Sequence, residues 1–181
     1  DGAEDLSVPQ DDAAARQVAA QSHPGLMVLK RTVNPKTGKL RTELVVDEVR
    51  RLADFFGMTS GAGGWRVAIV DTADDMNDNA ANALLKMLEE PPANALLLLL
   101  SNTPGRLLPT IRSRCQRLDL RPLDEATMDR GLKPHLPDDT AAERAALARL
   151  AGGSIGAALT LTTGDGGALA KEADKLIDHA Q

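Results

Sequence analysis

Ala95-Leu96-Leu97-Leu98-Leu99-Leu100 is an unbroken apolar run that ends on the polar loop Ser101-Asn102-Thr103. A run of this length is a strand's length, far short of a bilayer span. An apolar strand without alternation is expected where a parallel sheet is covered on both faces. The sequence before it fits that arrangement. Trp65-Arg66-Val67-Ala68-Ile69-Val70-Asp71 is a second apolar run, closed by a carboxylate. Between the two lies Asp78 to Glu90, where Ala81, Leu84, Leu85 and Leu88 recur at helical spacing and Pro91-Pro92 ends the pattern. Strand, helix and strand, each strand closing on polar residues, is the layout of a parallel α/β sheet, and in such sheets ligands gather at the carboxyl ends of the strands.

The flanking chain extends this picture. Asp11-Asp12 before Ala13-Ala14-Ala15 reads as an acidic helix start. Leu26 to Arg31 reads as a strand, and Asn34-Pro35-Lys36-Thr37-Gly38 as a turn. Val46, Val49, Leu52, Ala53 and Phe56 mark another helix, with Asp47 and Glu48 in its first turn. Gly61-Ala62-Gly63-Gly64 reads as a flexible turn into the strand at Trp65. Leu118 and Leu120 alternate with polar residues, suggesting a short, more exposed strand. After Arg121-Pro122 the chain becomes Ala-rich, with helices expected at about 124–132, 140–151, 154–161 and 168–179. The expected organisation is an α/β domain over residues 1–121 and a small helical domain over residues 122–181.

Composition removes several function classes. Aromatic residues are 2% of the 181, with no Tyr, so single-stranded nucleic acid has few stacking platforms. A net charge of −5 gives no general attraction to a phosphate backbone, and any DNA contact is expected to be local or through a partner. The single cysteine, Cys115, excludes an internal disulfide and suits a cytoplasmic protein. No signal-peptide pattern and no membrane contact are expected.

Candidate chemistry is sparse. A phosphate-cradling loop needs glycines after a strand, then Lys and Ser or Thr at a helix start. Gly38-Lys39 is followed by Leu40, and Gly61 to Gly64 precedes its strand and carries no Lys. Asp71, at a strand end, stands where a magnesium-holding carboxylate would, but by spacing alone a strand-to-loop turn is the better explanation, and Thr72 cannot act as a base. Glu89-Glu90 are adjacent on a helix and diverge. His23, His135 and His179 are scattered and Cys115 is alone, so no metal site is expected. Arg106, Arg112, Arg114, Arg117 and Arg121 crowd into a short stretch of an acidic chain; a solvated helix and edge strand accounts for Arg106, Arg117 and Arg121 and is the alternative for the other two. Arg112 and Arg114 flank Ser113 where a helix gives way to a strand, a position from which a planar guanidinium can reach phosphate oxygens.

Two segments then carry a resemblance. Ala80-Ala81-Asn82-Ala83-Leu84-Leu85-Lys86-Met87-Leu88-Glu89-Glu90-Pro91-Pro92 and Leu107-Leu108-Pro109-Thr110-Ile111-Arg112-Ser113-Arg114-Cys115 resemble peptides of the bacterial clamp-loader AAA+ subunits, the second containing their Ser-Arg-Cys motif. With His23-Pro24, Lys36 to Arg41 and Trp65 to Asn77, the likeness is to the δ′ family of DNA polymerase III over about residues 22–122, and is weaker beyond. It implies a partial AAA+ (P-loop NTPase-like) parallel-sheet domain followed by a three-helix lid, in a piece that starts after the phosphate-loop region and stops before most or all of a collar domain.

The resemblance also implies roles. Asp71 matches the second phosphate-site motif, with Thr72 in place of the catalytic Glu. Asn102, between Ser101 and Thr103, falls in the loop that senses the γ-phosphate in active relatives. Arg114 matches the arginine finger that acts on the Mg-ATP of a neighbouring subunit, with Ser113 and Cys115 completing the interface motif. Gly156 and Ala157 stand where a nucleotide-sensing Arg of the lid is expected. The implied function is a non-hydrolysing stator with no firmly bound cofactor of its own, in a hetero-oligomer with γ/τ and δ subunits. The β sliding clamp and primed DNA would be indirect partners in DNA replication. The alternative is an ATP-hydrolysing subunit of the γ/τ type.

Overall fold

The computed structural model describes residues 8–9, 11–57 and 64–163. The chain divides into two compact units, Asp1–Arg117 and Leu118–Gln181, the division falling just before the boundary that the sequence suggests after Arg121.

The first unit holds a three-stranded parallel sheet, β1 (Leu26–Leu29), β2 (Arg66–Val70) and β3 (Ala95–Leu99), in the order β1-β2-β3. Its register runs from Leu26 opposite Val67 and Arg66 opposite Ala95 to Val70 opposite both Leu29 and Leu99. The carboxyl ends of all three strands therefore lie side by side at Leu29, Val70 and Leu99. Helix α1 (Ala13–Ala19) precedes the sheet, and the Asp12 side chain accepts a hydrogen bond from the Ala15 N–H at 2.9 Å. Between β1 and β2, the Asn34–Gly38 turn closes with Gly38 N–H on the Asn34 carbonyl at 2.9 Å. It leads into α2 (Val46–Gly57).

Helix α3 (Asp78–Glu89) begins at Asn77, whose side-chain oxygen accepts the Ala80 N–H at 3.0 Å. Capping of this kind satisfies an amide that the first helical turn leaves open. Helices α2 and α3 pack on each other, and Val49, Leu52, Ala80 and Leu84 join Leu29, Leu44, Ala68, Val70 and Ile111 in one buried core. The expected face of α3 forms. The face of α2 is rotated slightly from expectation, since Phe55 is buried while Ala53 is exposed.

Two strand expectations need correction. Ala95–Leu100 is not covered on both faces among the described residues: β3 is the sheet's last strand there, and Leu96, Leu98 and Leu100 are 40–44% exposed. No strand forms at Leu118–Leu120, and both leucines are more than 80% exposed. A lone strand leaves its amides and carbonyls without ladder partners, so alternation by itself does not hold the extended form.

After α4 (Pro109–Arg112), a short helix of the first unit, the second unit is helical: α5 (Glu125–Leu132), α6 (Ala141–Leu150) and α7 (Ile155–Thr162). Met128, Leu132, Ala148 and Ala158 form its core. Arg144 is buried, paired with Asp129 at 2.6 Å and donating to the Asp139 carbonyl, which ties α6 to α5 and to the loop between them. Thr140 and Glu143 form a reciprocal capping box at the start of α6, and Ser154 caps α7 through the Ala157 N–H. The helix expected at 168–179 and most of the Gly61–Gly64 turn lie outside the described residues. No single helix among those described is long and apolar enough to cross a membrane.

Candidate functional site

Beyond β2 the chain is acidic: Asp71, then Thr72 and the 3-10 turn Ala73–Asp75. Each carboxylate finds a partner within the chain. Asp71 continues the ladder, its N–H donating to the Leu29 carbonyl at 2.8 Å, and its side chain faces Lys30 Nζ at 3.4 Å. Asp75 pairs with Arg31 Nε at 3.1 Å. Lys30 and Arg31 follow β1 directly, so the parallel register sets two cations beside two anions at neighbouring strand ends. The peptide between Asp71 and Thr72 is cis.

Asp74 reaches the other way, toward the loop after β3. Its Oδ1 accepts from Ser101 Oγ at 2.7 Å, and its Oδ2 from the N–H groups of Asn102 and Thr103 at 2.6 and 3.3 Å. Ala73 N–H donates to the Leu100 carbonyl at 2.8 Å, so the two loops are laced by backbone as well. Partial burial pushes the Asp74 carboxyl up, but the bonds from Ser101, Asn102 and Thr103, with the charge of Arg106, together outweigh it and hold it below the usual carboxylate range.

The loop continues through the 3-10 turn Pro104–Arg106 into α4 (Pro109–Arg112). Proline at the first helical position suits an amide that would be unsatisfied anyway. Ile111 is buried and Cys115, four residues on, packs half-buried against the same core. Arg112, Ser113 and Arg114, between these two anchors, are exposed. Arg114 Nη1 donates to the Thr110 carbonyl at 3.0 Å, and Nη2 pairs with Glu89 Oε1 at 2.9 Å. Ser113 Oγ donates to the same Thr110 carbonyl at 3.1 Å. Burial pushes the Cys115 thiol up, which makes it a packing group rather than a nucleophile.

The structure thus places Asp71, Thr72 and Asn102 on adjacent strand-end loops, with Asn102 exposed. The side chain that joins those loops is Asp74, which sequence reasoning passed over. Its signal was only partial: Asp74 and Asp75 stand four and five residues past the end of β2, before a Ser-Asn-Thr loop past β3, and nothing in the sequence chooses between them. Ser113, Arg114 and Cys115 cluster separately, at the end of α4 beside the end of α3. Among the described residues no His, Cys, Asp and Glu side chains converge in a group able to hold a metal ion.

The family described as DNA polymerase III, delta subunit, matches residues 4–124. The δ′ subunit of DNA polymerase III from Pseudomonas aeruginosa is 41% identical over 142 residues, covering 78% of this chain and 41% of that protein. The Escherichia coli δ′ subunit is 42% identical over 134 residues, covering 74% and 39%. The τ subunit of Salmonella typhimurium is 35% identical over 130 residues, covering 67% and 20%. The chain therefore spans about two fifths of the length of these δ′ relatives. Among solved structures, a γ-subunit-related protein from Thermotoga maritima aligns with a TM-score of 0.50 at 27% identity, covering 68% of this chain and 43% of that one. With well over half of its residues matched, the chain belongs to the DNA polymerase III delta-subunit family, among the clamp-loader proteins.

Proposed function

We propose that this chain is a non-hydrolysing clamp-loader subunit of the δ′ type, which presents Arg114 to the Mg-ATP of a neighbouring γ/τ subunit while a sliding clamp is loaded on DNA. One observation carries the reading: Arg114 stands at the end of α4 between the core anchors Ile111 and Cys115, its guanidinium resting on Glu89 and the Thr110 carbonyl, while the strand-end carboxylates are engaged by cations of the same chain. Asp71 and Asp75 face Lys30 and Arg31, and Asp74 is spent on the loop of Asn102. A magnesium ion at Asp71 would compete with an ammonium already there, and Thr72 has no basicity to activate water. The planar fork of Arg114 suits the equatorial oxygens of a transferring phosphoryl group. In the same reading the subunit works in the cytoplasm, within a hetero-oligomer that includes δ and acts with the β clamp and primed DNA.

An arginine finger contributes roughly 10³–10⁵ in rate, or about 4–7 kcal/mol of barrier. In a complex reconstituted with the full-length chain, Arg114→Ala is expected to leave assembly intact and to lower DNA-stimulated ATP turnover sharply. Arg114→Lys is expected to rescue poorly, having lost the fork. Undiminished turnover in Arg114→Ala overturns the proposal. The similarity to τ subunits favours a second reading, in which the subunit hydrolyses ATP itself; ATP binding and turnover by the full-length chain alone would support it.

A further inference from the structure

Helix α3 ends on Glu89, with Glu90 as its C-cap. A carboxylate in the last turn opposes the helix dipole, whose C-terminal end carries partial negative charge. Local helix energetics therefore give no reason for an acid at this position. The reason lies across the gap to α4. Glu89 Oε1 meets Arg114 Nη2 at 2.9 Å, while Arg114 Nη1 keeps the Thr110 carbonyl of its own turn at 3.0 Å. The guanidinium is thus held at two points of different kinds. The carbonyl is a local backbone acceptor that travels with α4. The carboxylate is a charge on a different helix, half-exposed to solvent.

We infer that Glu89 is the resting counter-ion of Arg114, a positioning residue that holds the guanidinium until a more highly charged phosphate from a neighbouring subunit draws Nη2 away. This rests on the reading of Arg114 as acting in trans. The exchange is one anion for another at the same nitrogen, with no proton moved and no bond broken other than hydrogen bonds. The Thr110 bond can persist throughout, so only the Glu89 end has to let go. An exposed ion pair is weak enough to be displaced, yet it opposes engagement by its own strength. Glu89 therefore sets a threshold: a fully charged triphosphate overcomes it, and a poorer anion overcomes it less well.

The test uses the complex reconstituted with the full-length chain, reading kcat/KM for ATP in the presence of primed DNA. Glu89→Gln keeps the size and removes the charge, and is expected to raise kcat/KM by about two- to fivefold, the range of an exposed pair. The gain should shrink as salt is raised, because the pair it removes is screened. It should vanish when Arg114→Ala is already present. Glu90→Gln removes the same charge one residue on and should change nothing. A Glu89→Gln complex indistinguishable from wild type overturns the inference, as does a gain that survives Arg114→Ala. So does a loss matching that of Arg114→Ala, which would make Glu89 an aid to engagement rather than a restraint. Turnover undiminished by Arg114→Ala overturns the trans-acting reading itself, a result separable from the others.

Discussion

The bond set around Asp74 can be tested by removing it in two steps. Asp74→Ala deletes all three acceptor contacts to Ser101, Asn102 and Thr103. Hydrogen bonds to a charged group contribute about 1.5–3 kcal/mol each where water cannot replace them. Here Asn102 and Thr103 are exposed, so water takes over their amides, and the 3.3 Å bond is the weakest of the three. The net cost then falls to about 2 kcal/mol, near one well-formed charged bond. Asp74→Asn is milder. Its oxygen can take the Oδ2 place facing the amides, and its NH₂ can donate to Ser101 Oγ, because a hydroxyl accepts as well as donates. Only the charge is lost, for about 1 kcal/mol. Amide hydrogen exchange at Asn102 in the full-length protein reads this directly, with protection falling roughly 30-fold for Ala and about fivefold for Asn if local opening limits exchange. The pH dependence has a definite sign. The folded-state pKa of Asp74 is depressed, so the difference between wild type and Asn is full above the unfolded value, about 3.9, and is lost as pH falls through the lower folded value. Unchanged protection of Asn102 in Asp74→Ala at neutral pH would refute the reasoning, as would a wild-type advantage that grows on acidification.

Two further predictions rest on the helical unit and the end of α4. Gly152 and Gly153 both have positive φ, +57° and +76°, but a Cβ on Gly152 meets nothing within 4 Å, whereas one on Gly153 lies 2.8 Å from the Leu123 backbone. Gly152→Ala should therefore cost about 1 kcal/mol, the left-handed penalty alone, and Gly153→Ala about 1–3 kcal/mol more from crowding; equal thermal shifts for the two would contradict this. Cys115, half-buried with its pKa raised, should react with iodoacetamide at neutral pH more slowly than a free thiol of pKa about 8.5, and reaction at the free-thiol rate would contradict its packing role.

Much of the fold was legible because it rests on local, short-period signals. The acidic start at Asp11-Asp12 does cap a helix, through Asp12, and Ala81, Leu84, Leu85 and Leu88 keep their face on α3. What failed depends on pairing between distant segments. Leu118 and Leu120 alternate like a strand, yet alternation does not supply a neighbour. Ala95–Leu100 is as apolar as a doubly covered strand, yet it stands last in the described sheet. At the site, the outward set of Arg112, Ser113 and Arg114 could be anticipated from a helix end, whereas Asp74 could not be singled out from Asp75 without the register. One residue of offset sends the first to the loop after β3 and the second to Arg31. The Glu89 contact was hidden for the same reason, since two helices must meet before it exists.

The outer margin of β3, the last strand of the described sheet, bears on what can lie against it. Ala95–Leu99 carries no lysine, proline or bulge of the kind that blunts exposed sheet edges. Among the described residues no strand pairs with the amides and carbonyls along that side, and the leucines beside them are open to water. A backbone row of that kind accepts whatever strand lies alongside without regard to its sequence, whether from elsewhere in the full-length protein or from another molecule. Solubility of any preparation that leaves this margin bare is therefore a contest between dilution and self-pairing, and keeping the margin covered matters as much as keeping the core filled.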